Sequence, residues 1–199
     1  MGSEPRKTRK TRKTLRDTAG SGDAGTTGLL GPDRVSKDHP VIEAVGTVDE
    51  ASSALGLARA LSSDARSKEI CEELQRTLYR VGAELASAPG EVGSWGVVSE
   101  ADVEGLESLM TDLEAEVPMQ REFVLPGRTP GSGAIDLARA IVRRAERRVV
   151  LVRGSGRDVN PQLLRYLNRL SLLLFVLGRF EENRAGIPSE PARPPKSRA

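Results

Sequence analysis

The chain has 199 residues, 38% hydrophobic but only 3% aromatic, which is material for one domain with a core of Leu, Val and Ala and disfavours a β-sandwich. Its single cysteine and single histidine exclude an intrachain disulfide framework, a multi-cysteine zinc site and a His-rich metal centre. The net charge of +2 hides a split: residues 1–16 carry seven Lys or Arg against Glu4, leaving 23 basic and 27 acidic residues elsewhere.

In chain order, residues 1–17 read as a disordered basic tail, low in complexity through the repeated Thr-Arg-Lys at 8–10 and 11–13. It is either a solvated extension or a contact for an acidic surface. No aromatics interleave its charges to stack bases, so nucleic acid is not the expected partner. The amino end has no apolar signal segment, and the apolar run Leu163–Leu177 is broken by Arg165, Asn168 and Arg169. A cytoplasmic protein with no membrane span is expected.

The stretch Gly20-Ser21-Gly22-Asp23-Ala24-Gly25-Thr26-Thr27-Gly28 is dense in glycine and hydroxyls. It suits either a linker or a loop whose N–H groups approach phosphate, and it lacks the Gly-Lys-Ser/Thr of a Walker loop. Five helical segments follow. The first runs from Glu43 to Leu61 with Val48, Ala51, Leu55 and Ala58 on one face. The second runs from Lys68 to Ser87 with Ile70, Leu74, Leu78, Val81 and Leu85. Ser99 and Asp102 open the third as a variant capping box, and Pro118 closes it. The fourth spans about 131–152, and the fifth runs from Pro161 to about Asn183. Pro89–Val98 is a Gly-rich loop, Phe123–Leu125 a short extended piece, and residues 187–199 a second loose tail. The expected fold is all-α, a five-helix bundle.

The fourth segment carries Arg139, Arg143 and Arg147 as one stripe, with Arg144 and Arg148 as a second beside it. Like charges four apart oppose helix formation by a few tenths of a kcal/mol per pair, on the order of 0.2–0.5. Asp136 and Glu146 are too few to neutralise five arginines. Solvation and a bound polyanion both remain open. Asn168, between Leu167 and Leu170, needs a hydrogen-bond partner if buried, either another helix or a ligand. Asp49 and Glu50 suit the start of a helix and equally an ion pair with the arginines. Cys71 falls on an apolar face, as a plain buried thiol would.

Several segments together resemble the PduO-type ATP:cob(I)alamin adenosyltransferases. These are Gly22–Thr27, Arg34 with Lys37-Asp38, Ala44–Glu50, Phe123–Gly127, Ala138-Arg139, Arg143–Arg148 and Asn168–Ser171, in that order. The resemblance covers about residues 18–184. It implies a ferritin-like up-down bundle (domain 18–186, with 18–42 as the nucleotide loop) assembled as a homotrimer with sites between subunits. It assigns the ATP triphosphate to Ser21, Gly22, Asp23, Gly25, Thr27 and Lys37, and the nucleotide also to Arg143, Arg144, Glu146, Arg147 and Asn168. Asp49 and Arg139 match a salt-bridged pair supporting the intersubunit site. Phe123 matches an aromatic that keeps the lower base off cobalt. Mg²⁺ with ATP, cobalamin as acceptor, a reductase and a cobalamin-dependent mutase are the implied companions.

The chain departs from the family pattern at Ala24, where Lys is usual, at Arg128, where Gly is usual, at Asp136, where His is common, and at Leu172, where Asp is usual. Arg128 is the candidate to replace the missing lysine charge. A relative that binds cobalamin or ATP with little catalysis is the alternative reading.

Overall fold

The computed structural model describes residues 14, 19–32, 34–88, 96–120 and 122–193. Most of the amino-terminal tail, the centre of the Gly-rich loop and residues 194–199 lie outside them. Strands β1 (Thr26–Gly28) and β2 (Arg34–Ser36) pair antiparallel, Thr26 opposite Ser36, and lead into the first helix.

Each helix begins where its sequence supplies a cap. Helix α1 (Pro40–Leu61) starts three residues before the hydrophobic repeat, because Pro40 fits the first turn and His39 Nδ1 accepts from the Val41 N–H. Asp64 caps α2 (Ala65–Ala86) by accepting from Ser67, and Ser99 with Asp102 forms the expected reciprocal box on α3 (Glu100–Glu116). Thr129 and Ser132 make a second such box on α4 (Pro130–Gly154), and Asn160 caps α5 (Pro161–Arg184).

Cross-helix pairs give the directions. Arg59 meets Glu72 at 3.3 Å, so α2 runs back along α1. Arg148 reaches Glu43 at 3.6 Å while Arg144 pairs with Glu50, so α4 is antiparallel to α1. Asn168 donates to Glu146 at 3.1 Å and Arg179 to Asp136 at 2.8 Å, which sets α5 antiparallel to α4. Arg165 with Glu100 and Arg169 with Glu107 hold α3 parallel to α5. The seam is filled by Leu55, Leu78, Leu113, Ile135, Leu163, Tyr166, Leu167, Leu170, Leu174 and Phe180, all fully buried. Each such side chain stabilises the fold by about 1.5–3 kcal/mol, so the bundle rests on aliphatic packing. Among the described residues, no helix is long and apolar enough to cross a membrane.

At the end of α5 the apolar pattern is interrupted by Arg179, Glu181 and Glu182, all buried. Arg179 donates from Nη2 to Asp136 at 2.8 Å and to Glu182 at 2.9 Å, and Glu182 also accepts from the Ser189 hydroxyl. Glu181 accepts from the Ser63 N–H at 2.6 Å.

Residues 187–193 are not the loose tail that their Pro-rich composition suggests. Strand β4 (Glu190–Pro191) pairs antiparallel with β3 (Val124–Leu125). Proline tolerates this edge position because its missing N–H is not needed there.

Candidate functional site

The glycine-rich segment folds back on itself ahead of α1. Asp23 N–H donates to Gly20 O, Gly25 N–H to Gly22 O and Lys37 N–H to Gly25 O at 2.8 Å. Arg34 gathers the loop from inside: its Nη2 donates to Ser21 O at 2.7 Å, to Thr26 O at 3.2 Å and to Thr26 Oγ1 at 3.1 Å. Sequence reading assigned Arg34 no task. A charge beside a candidate phosphate loop reads first as a ligand group, and here it organises the loop's own carbonyls. Gly22 sits close under Lys37, and a Cβ there would stand 3.1 Å from Lys37 Nζ and press on that side chain. The candidate residues Ser21, Gly22, Asp23, Gly25, Thr27 and Lys37 thus share one compact loop. A bond from Leu30 N–H to Ala86 O at 3.0 Å ties it to the end of α2.

Packing divides the arginines of α4. The Arg144–Arg148 stripe turns toward α1, where Glu50 and Glu43 neutralise it. Glu146 faces α5 instead and accepts from Asn168 Nδ2, whose Oδ1 accepts from Arg169 Nη1 at 2.8 Å. Arg169 is itself held by Glu107 at 2.8 Å. On the other stripe, Arg147 Nη1 donates to Arg143 O at 2.9 Å, and among the described residues neither Arg143 nor Arg147 has an acidic partner. Arg139 Nε is buried 3.6 Å from Asp136 Oδ1 on its own helix, an ion pair too long to be a hydrogen bond. Two exposed cations therefore remain to attract an anion, with an amide–carboxylate pair beside them.

Arg139 and Arg143 line a groove of about 390 Å³ with Glu122, Phe123, Val124, Ser171, Leu172 and Phe175. The Phe123 ring is 91% exposed at its mouth. Leu172 and Phe175 give the groove an apolar wall next to the two cations. Thr27 and Asp49 line a different groove, of about 490 Å³, between the amino-proximal loop, α1 and α2, with Tyr79 and Gly46.

Three of the candidate side chains have these surroundings within the chain. Within one protomer Asp49 lines the groove of α1 and α2, while Arg139 sits beside Asp136, so the two residues lie apart inside the chain. Arg144 pairs with Glu50 across α1 and α4. Arg128 does not replace a lysine in the phosphate loop; its Nη1 donates to Glu190 on β4 at 2.6 Å.

The perturbed titrating groups lie outside both grooves. Burial, with the nearby Glu181 charge adding to it, pushes the Cys71 thiol up to about 12, so it is no nucleophile at neutral pH. At Asp102 burial opposes ionisation, but bonds from the Ser99 N–H, Arg80 and the Ser99 hydroxyl outweigh it and hold the carboxyl below its ordinary value.

The sequence profile of the cobalamin adenosyltransferase family matches residues 18–181. The corrinoid adenosyltransferase PduO of Citrobacter freundii is 38% identical over 162 residues, 81% of this chain; the chain spans about half of that protein's length, 48%. A corrinoid adenosyltransferase of Bacillus subtilis is 38% identical over 167 residues, covering 82% of this chain and 84% of the relative. Among solved structures, a variant PduO-type ATP:corrinoid adenosyltransferase from Lactobacillus reuteri, complexed with cobalamin and ATP, superimposes with a TM-score of 0.81. It is 30% identical, with 87% of this chain and 97% of that chain covered. The chain belongs to the cobalamin adenosyltransferase family.

Proposed function

We propose that this chain transfers the 5′-deoxyadenosyl group of ATP to cob(I)alamin, giving adenosylcobalamin and triphosphate. The observation that carries the reading is the pair of unneutralised cations, Arg143 and Arg147, on a helix that also walls a groove with Phe123 at its mouth. The cobalt of the acceptor substrate attacks the ribose C5′ with its own electron pair. A Co–C bond forms, the C5′–O bond breaks, and triphosphate departs with that pair. The attacking atom carries no proton, so no general base is needed. Catalysis rests on alignment and on cations facing the charge that develops on the leaving group.

In this reading the loop of Ser21, Gly22, Asp23, Gly25, Thr27 and Lys37 cradles the triphosphate, while Arg143 and Arg147, with the Glu146–Asn168 pair, hold the rest of the nucleotide. Phe123 and Arg139 shape the corrinoid side. The phosphate loop and the arginine groove lie on separate surfaces of one chain. This supports a homotrimer in which the loop and Asp49 of one protomer complete the groove of the next. Among the described residues no three His, Cys, Asp or Glu side chains group to hold a metal ion, so Mg²⁺ would enter on the triphosphate oxygens. The cytoplasm, a reductase supplying Co(I) and a cobalamin-dependent mutase taking the product complete the proposal.

Anaerobic incubation with ATP and chemically reduced cobalamin should convert the Co(I) spectrum to that of a photolabile Co–C bond. No ATP-dependent product at saturating substrates refutes the reading. A carrier that binds without turnover is the second reading, favoured by Leu172, an apolar residue on the wall of the groove where the family usually has a carboxylate. It predicts tight corrinoid binding with negligible product, and activity gained on Leu172→Asp.

A further inference from the structure

The loop that carries Phe123 joins α3 to α4 and has little to hold it. Among its described residues the regular structure is β3, two residues long, and a strand that short cannot order itself. Its ends are fixed by Val117 and Met119 against the core and by the Thr129–Ser132 box, and among the described residues the contacts around Phe123 itself come largely from the segment after α5. The Ala192 N–H donates to the carbonyl of Phe123 itself at 2.7 Å. Val124 lies opposite Pro191 and Leu125 opposite Glu190. Farther along, Arg128 donates to Glu190 at 2.6 Å, and Gln120 Nε2 reaches Ser189 O at 3.4 Å. Just after Leu125, Gly127 turns the chain toward α4 with φ +90°, a conformation a side chain would strain.

The other side of this segment is anchored in the core. Ile187 N–H donates to Glu182 O at 2.9 Å, and the Ser189 hydroxyl donates to the Glu182 carboxylate. Glu182 is completely buried and held by Arg179, which is held in turn by Asp136 of α4. The route from the rigid end of the bundle to Phe123 is therefore continuous: Asp136, Arg179, Glu182, Ser189, then the β4 backbone. Its buried end also borders the groove, since the Arg179 guanidinium lies 5.4 Å from the centre of the Phe175 ring and Asp136 is 3.6 Å from Arg139, whereas Ser189, Glu190 and Ala192 reach only the Phe123 loop.

We propose that residues 187–193 form a strap that positions Phe123 at the corrinoid groove, with Ser189, Glu190 and Ala192 as positioning residues. The proposal rests on the adenosyl-transfer reading for its substrate but not for its structural test. Without the strap the loop samples many conformations, and corrinoid affinity falls by the fraction of time Phe123 is out of place. The nucleotide side, built on the amino-proximal loop with Arg143 and Arg147 of α4, makes no hydrogen bond or ion pair with the strap among the described residues.

Two substitutions probe the strap without cutting into the core. Ala192→Pro deletes the N–H bonded to Phe123 O, and Glu190→Arg sets like charges face to face with Arg128. Each should raise KM for cob(I)alamin about tenfold while leaving KM for ATP within about twofold. Each should also speed amide exchange over residues 120–126 in the protein without substrates. Adding Arg128→Glu to Glu190→Arg should restore both, an outcome that general destabilisation does not produce. Unchanged exchange and unchanged corrinoid KM in both single variants overturn the strap, as does failure of the reversed pair to rescue. If the wild-type chain transfers no adenosyl group, the functional reading falls. The exchange pattern and its rescue still decide the strap.

Discussion

Replacing Arg179 with Met tests whether the buried ionic cluster at the end of the bundle is held together by its one guanidinium. Arg179 is 3% exposed and Asp136 5%, and Glu182 is wholly buried, so water cannot compensate for a lost partner. The substitution leaves two carboxylates inside: Asp136 keeps only Arg139 at 3.6 Å, and Glu182 keeps only the Ser189 hydroxyl. Stranding buried charge in this way costs about 3–5 kcal/mol. At roughly 2–4 °C per kcal/mol for a domain of this size, the midpoint should fall about 6–20 °C. Asp136→Asn keeps a hydrogen-bond acceptor for Arg179 and should cost less, about 1–3 kcal/mol. The triple replacement Asp136→Leu, Arg179→Met and Glu182→Leu removes the charges together and should lie within about 2 kcal/mol of the wild type. Urea unfolding followed by far-UV circular dichroism, at one fixed protomer concentration, ranks the variants. Arg179→Met as stable as wild type, or a triple variant worse than the single one, refutes the reasoning.

Arg143→Ala should lower turnover about 10²–10³-fold with little loss of stability, whereas Arg144→Ala, whose charge is spent on Glu50, should cost about 0.2–1 kcal/mol of stability and far less activity; steady-state kinetics beside thermal melts separate the two. Gly22→Ala pushes against Lys37 Nζ, so KM for ATP should rise several-fold, on the order of 3–10, while KM for cob(I)alamin stays constant; the reverse pattern would place the loop elsewhere. Because burial raises the Cys71 thiol, the folded state holds that proton more tightly than the unfolded chain. Its contribution is intact below the ordinary thiol value near about 8.5 and is lost as pH climbs toward about 12. Across that window wild type should lose on the order of 1 kcal/mol per pH unit more than Cys71→Ala, measured by urea unfolding at stepped pH.

The helices were legible in the sequence because their information is local and periodic. Leu74, Leu78, Val81 and Leu85 announce a buried stripe whatever they pack against, and Ser99 with Asp102 announces a start. The glycine-rich loop and the arginine stripes were visible for the same reason: each is a property of neighbouring residues. Only packing decided what those features meet. Arg143 and Arg144 are adjacent in sequence, yet one faces solvent and the other faces Glu50, 94 residues away, because a helix turns about 100° per residue and α1 covers just one side of α4. The partners of Arg128 and Asp136 lie on β4 and α5, and no repeat in the sequence encodes which register brings them together. Composition marked residues 187–193 as loose, since proline and arginine bury nothing by themselves. Tertiary structure ordered them by offering what a tail cannot find alone: a carboxylate fixed in the core and an unpaired strand edge beside Phe123.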